Sequence, residues 1–101
     1  MKLRVEFRVD ENAITLKKWH NCNSIEEYYN KYYKKDGILF WKDQEAIYYD
    51  IDVEQMPIKG QILGTRFGMV EVDWAYYELE YDPEYKKTDY YSRSLIIVKE
   101  V

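Results

Sequence analysis

At 101 residues and 12.4 kDa the chain is the size of one domain, residues 1–101, large enough to bury a core of its own. Its 47% hydrophobic and 18% aromatic residues exclude the disordered class despite a mean hydropathy of −0.67, and no apolar run approaches the roughly 20 residues of a membrane span. A single cysteine, Cys22, excludes an internal disulfide and fits a cytoplasmic setting, while a net charge of −4 argues against broad nucleic-acid binding, whose affinity rests on neutralising phosphates.

The chain opens on a legible strand rather than a signal peptide. In KLRVEFRVD, Leu3, Val5, Phe7 and Val9 alternate with Lys2, Arg4, Glu6 and Arg8, a period of two that predicts one buried and one wet face. DEN, from Asp10 to Asn12, is turn chemistry, and AITLKKW is expected to return as a second strand, giving an N-terminal hairpin.

NSIEEYYNKYYKKDG predicts the one helix, from Ser24 to Lys35. Ser24 with Glu27 three residues on is a capping box, and Ile25, Tyr28, Tyr29, Tyr32 and Tyr33 follow the stripe that faces a core. Gly37 is placed to end the helix in a left-handed conformation. ILFW and EAIYYDIDVE, joined by KDQ, then predict a hairpin. Its second strand sets Ile47, Tyr49, Ile51 and Val53 on one face against Tyr48, Asp50, Asp52 and Glu54 on the other. QMPIKGQILG, broken by Pro57, Gly60 and Gly64, is a loop with room for a short edge strand. RFGMVEVDW, YYELEYD and RSLIIVKEV complete the strands, with DPEYKKTD as a turn; Leu95 to Val98, apolar on both faces, belongs in the centre of a sheet. The expected order is β-β-α-β-β-β-β-β, an α+β fold with one amphipathic helix on a curved, mainly antiparallel sheet.

Charge is distributed unevenly. Residues 1–42 hold nine Lys or Arg against six acids, whereas residues 43–101 hold six against thirteen. Within the acidic half, EVDWAYYELEYDPE carries six carboxylates with no cation between Phe67 and Tyr85. Its acids change phase: Glu71 and Asp73 are odd, opposed by Val70, Val72 and Trp74, while Glu78, Glu80 and Asp82 are even. A one-residue slip exchanges the faces of a strand, so a bulge near Ala75 to Tyr77 is expected to keep all five on one outer ridge. Asp50, Asp52 and Glu54 form a second row. Carboxylates two residues apart on a strand stand roughly 6.5–7 Å apart, on the scale of successive backbone phosphates.

Five tyrosine doublets, at 28–29, 32–33, 48–49, 76–77 and 90–91, add rigid amphipathic contact area of the kind interfaces use. No motif supplies a catalytic, metal or cofactor site. Cys22 and His20 have no Gly-rich oxyanion signal nearby, one Cys and one His cannot close a zinc tetrahedron without carboxylates, and Glu84-x-Lys86, the spacing of metal-dependent nucleases, falls in a turn. The expectation is a non-enzymatic binding protein. Asp50, Asp52, Glu54, Glu71, Asp73, Tyr76, Glu78, Glu80 and Asp82 would meet a basic protein surface. In its sharpest form it is a phage or mobile-element inhibitor, of anti-CRISPR or anti-restriction type, occupying the groove of a nucleic-acid-binding enzyme. The alternatives are a small nucleic-acid-binding module using the basic hairpin (Arg4, Arg8, Lys17, Lys18, with Trp19) and, behind it, a metal-dependent nuclease.

Overall fold

The computed structural model describes residues 1–9, 15–77 and 94–101. Among these residues one α-helix and a six-stranded mixed sheet make an α+β architecture: β1 (Lys2–Arg8), α1 (Ile25–Tyr32), β2 (Leu39–Trp41), β3 (Ala46–Asp52), β4 (Ile62–Thr65), β5 (Gly68–Tyr76) and β6 (Ser94–Glu100). In space the strands run β2-β3-β1-β6-β5-β4. Among the described residues the expected N-terminal hairpin is not seen. β1 instead pairs antiparallel with β3 and parallel with β6, so the sheet is mixed. The stretch read as a second strand carries a wide helical turn at Thr15–Trp19. There Leu16 is buried while Lys17, Lys18 and Trp19 are exposed in succession, a pattern that alternation does not produce. Among the described residues the elements before the β2–β3 hairpin are β1 and α1, with the Thr15–Trp19 turn between them.

The helix forms where its local signals place it. The Glu27 N–H donates to the Ser24 hydroxyl at 3.1 Å, and the Glu27 carboxylate accepts from the Asn23 N–H at 3.0 Å. The regular helix stops at Tyr32, and a 3₁₀ turn at Lys34–Asp36 carries the chain to Gly37, left-handed at φ 75°. Ile25, Tyr28 and Tyr33 are buried; Tyr32, fourth of the predicted stripe, is exposed.

The helix covers one face of the sheet. Leu3, Val5 and Phe7 of β1, Ile47 of β3, Val70 and Val72 of β5, and Ile96 and Val98 of β6 form the core beneath it. Tyr49, Ile51 and Val53 pack against that core, as the odd positions of β3 require. The β4–β5 hairpin adds Phe67 from its turn. The Thr65 hydroxyl accepts from the Phe67 N–H at 3.1 Å and donates to the Gly68 carbonyl at 3.0 Å, which aims the ring inward onto Phe7, 4.9 Å away. The loop segment thus does supply an edge strand, β4. YYELEYD beyond Tyr77 and the DPEYKKTD turn lie outside the described residues.

Candidate functional site

Every strand also contributes to the face turned away from the helix, here the far face. β1 places Arg4, Glu6 and Arg8 on it; β3, Ala46, Tyr48, Asp50 and Asp52; β6, Leu95, Ile97 and Lys99. The alternation in β1 predicts a wet face here, and the structure corrects this: Glu6 is fully buried and Arg4 is 7% exposed. A strand with neighbours on both sides has its polar positions flanked by side chains, and these two find charged partners. Arg4 Nε lies 3.4 Å from Asp50, its guanidinium 4.4 Å from the centre of the Tyr48 ring. Arg8 directs both Nε and Nη2 at one oxygen of Glu6, at 3.2 and 3.1 Å.

The other Glu6 oxygen, Oε2, is buried without a hydrogen-bond partner. An orphaned buried acceptor costs about 1–3 kcal/mol. Replacing Glu6 by Met removes that cost, and Arg8, whose side chain is partly exposed, retains access to water. Glu6→Met should therefore raise stability by about 1–2 kcal/mol, read as an upward shift in the urea midpoint at constant slope.

The acidic stretch meets the far face through a bulge. Val72 pairs with Val98 but Trp74, not Asp73, pairs with Ile97, so Asp73 is the extra residue. The bulge lies two residues before the expected position. Its effect is to bring Trp74, expected opposite the acids, onto their face, where it stacks on Tyr76 with centroids 5.9 Å apart. Glu71 and Asp73 reach the same cation: Lys99 Nζ lies 3.4 Å from one and 3.3 Å from the other, and this contact, Asp73 foremost, holds the ammonium pKa above its usual range. No cation separates these acids along the chain, but β6 supplies one across the sheet. Local reading missed both Trp74 and Lys99, because the register of β5 against β6 sets both.

The two acidic rows share the far face, separated by β1 and β6, about 14 Å across three strand spacings. From β3 to β5 it reads acid, base, base, acid. Asp50 and Asp52 stand on β3, with Asp52 in register with Lys2; Arg4 and Arg8 follow on β1, Lys99 on β6, then Glu71 and Asp73. Asp52 and Asp73 are exposed, as is Glu54 in the bend after β3. The centre of the face is buried at Arg4, Glu6, Ala46 and Leu95, while Leu39, Ile62, Met69 and Trp74 are exposed around it. Glu78, Glu80 and Asp82 lie outside the described residues.

The Cys22 and His20 side chains engage different partners. The Cys22 thiol donates to the His20 carbonyl at 3.3 Å, while the imidazole Nε2 lies 3.2 Å from Glu100. Burial, then the nearby Glu27 charge, push the thiol pKa up, overriding Lys31 and the expected lowering at a helix start. Among the described residues no three His, Cys, Asp or Glu gather as metal ligands, and no helix is long and apolar enough to cross a membrane. Of the basic residues assigned to a nucleic-acid hairpin, Arg4 and Arg8 are engaged with Asp50 and Glu6, while Lys17 and Lys18 stand exposed on the helical turn beside Trp19. Comparison with protein-family models, with curated proteins and with solved structures found no match.

Proposed function

We propose that the protein is a non-enzymatic binding protein that engages a basic protein surface through the exposed rim of the far face. The observation supporting this best is Trp74, 40% exposed on a strand, stacked on Tyr76 and flanked by the bulged acid Asp73. Tryptophan is enriched among the hot spots of protein interfaces, and charge beside it sets sign and encounter rate. The acids Asp52, Glu54 and Asp73 reach solvent, whereas Arg4, one of the cations between the rows, is buried, which biases the accessible charge toward negative. In its narrower form the partner is a nucleic-acid-binding enzyme whose groove the acids occupy.

The test is capture of a partner at low salt, followed by titration of that partner against variants. Trp74→Ala should weaken binding by about 30-fold or more, the loss typical of a hot spot. The triple reversal Asp52→Lys, Glu54→Lys and Asp73→Lys should abolish it while changing stability little, since all three are exposed. Affinity should fall steeply with ionic strength. Equal binding by both variants would overturn the reading, and competition by duplex DNA for the partner distinguishes the narrower form.

A further inference from the structure

A cavity of about 280 Å³ opens where β1, β2 and β3 meet, lined by Arg4, Phe40, Trp41 and Tyr48. Among the described residues that line it, three are aromatic and the fourth brings a guanidinium. Arginine is rarely buried without full pairing, because desolvating its charge is costly. Here Arg4 is 7% exposed, and among the described residues its carboxylate partner is Asp50, met through Nε at the long distance of 3.4 Å. Among the described residues no carboxylate meets its two terminal amino groups, which form the fork that recognises carboxylates. The Tyr48 ring, 4.4 Å from the guanidinium carbon, holds that fork in place, so little conformational freedom remains to be lost on binding.

The volume bounds the occupant. At about 30 Å³ for each water, the cavity has room for roughly nine, just under the range of drug-sized sites. That suits one planar ring carrying one anionic group and is too small for a nucleotide. We propose that this cavity binds a small aromatic carboxylate, its carboxylate on the Arg4 fork and its ring against the Trp41 and Tyr48 walls. The same chemistry is offered by a free aromatic acid or by a peptide ending in phenylalanine, and the two are separable by experiment.

The full chain, labelled with ¹⁵N, would be titrated with 4-hydroxybenzoate, with the uncharged 4-hydroxybenzamide, and with a short peptide ending in Phe. The expected result is saturable movement of the Arg4 Nε–H and Trp41 indole signals, with a Kd on the order of 1 mM or tighter. The amide should bind at least about tenfold more weakly, since it forfeits a charge-assisted pair. Arg4→Lys should cost about tenfold or more, because an ammonium cannot reproduce the fork. Trp41→Ala, at a half-buried edge position, should cost a similar factor and serves where Arg4→Lys does not fold. Tighter binding of the peptide than of the free acid identifies a chain terminus as the source, and the reverse identifies a small molecule. No saturable shift, equal affinity for acid and amide, or unaltered affinity in a folded variant would overturn the proposal.

Discussion

Phe7→Ala should remove about 3–5 kcal/mol of stability, the largest loss expected from any single truncation described here. Phe7 is fully buried on a central strand, stacked on Phe67 at 4.9 Å and within 6.3 Å of Tyr28. It touches the sheet, the helix and the β4–β5 turn at once, so its removal leaves a cavity walled by three separate elements that cannot all close in. A domain of this size has about 5–15 kcal/mol in total, so the variant forfeits about a fifth or more. In urea the midpoint should fall by about 2 M at an ordinary slope. A loss under about 1.5 kcal/mol would mean that the helix and turn collapse onto the vacated site, and that the core is not centred on this ring. Phe40→Ala, half-buried beside Tyr29 on the edge strand, should cost less.

Stability should also fall steeply on the alkaline side, above about pH 10. The hydroxyls of Tyr28 and Tyr33 lie 3.0 Å apart inside the core. Burial raises the Tyr28 pKa first of all, with the hydrogen bond to Tyr33 adding to it; burial likewise raises Tyr33, although its own bond to Tyr28 acts the other way. Both rings therefore stay neutral in the fold at a pH where they ionise in the unfolded chain, near 10. Their contribution is intact below that pH and is lost as pH rises toward the higher folded values. Each such tyrosine removes about 1.4 kcal/mol per pH unit over that window. Urea unfolding at pH 9, 10 and 11 checks the slope, and Tyr28→Phe should flatten it. A stability independent of pH across this range, or an unchanged slope in Tyr28→Phe, would show that these hydroxyls are open to solvent.

Legibility followed the distance over which each feature is decided. Ser24, Glu27 and Gly37 act within one or two helical turns, and the helix was readable from them, though its C-terminal end was placed too late. The faces of β3 were readable because Ile47, Tyr49 and Ile51 are spaced by its own geometry. Arg4 and Glu6 were not, since their burial depends on β3 and β6, more than forty residues away along the chain. The bulge was foreseen from the phase of the acids but misplaced by two residues, because a phase change constrains parity and not position. Trp74 and Lys99 joined the candidate site only through that register. AITLKKW failed for a different reason: a short apolar alternation is equally consistent with one helical turn around a buried Leu16.

The parallel pairing of β1 with β6 has a consequence for how the protein is made. Leu3 sits opposite Ser94 and Phe7 opposite Val98, so β1 waits for about ninety further residues of synthesis before its second neighbour exists. Until then one edge of β1 is open beside β3, with the apolar side chains of Leu3, Val5 and Phe7 along it. Contacts of such long range are slow to form, and an unpaired strand edge invites pairing with another chain. The nascent protein thus carries its central strand half-partnered until β6 has been made, and that interval is the one in which a holding chaperone would matter most.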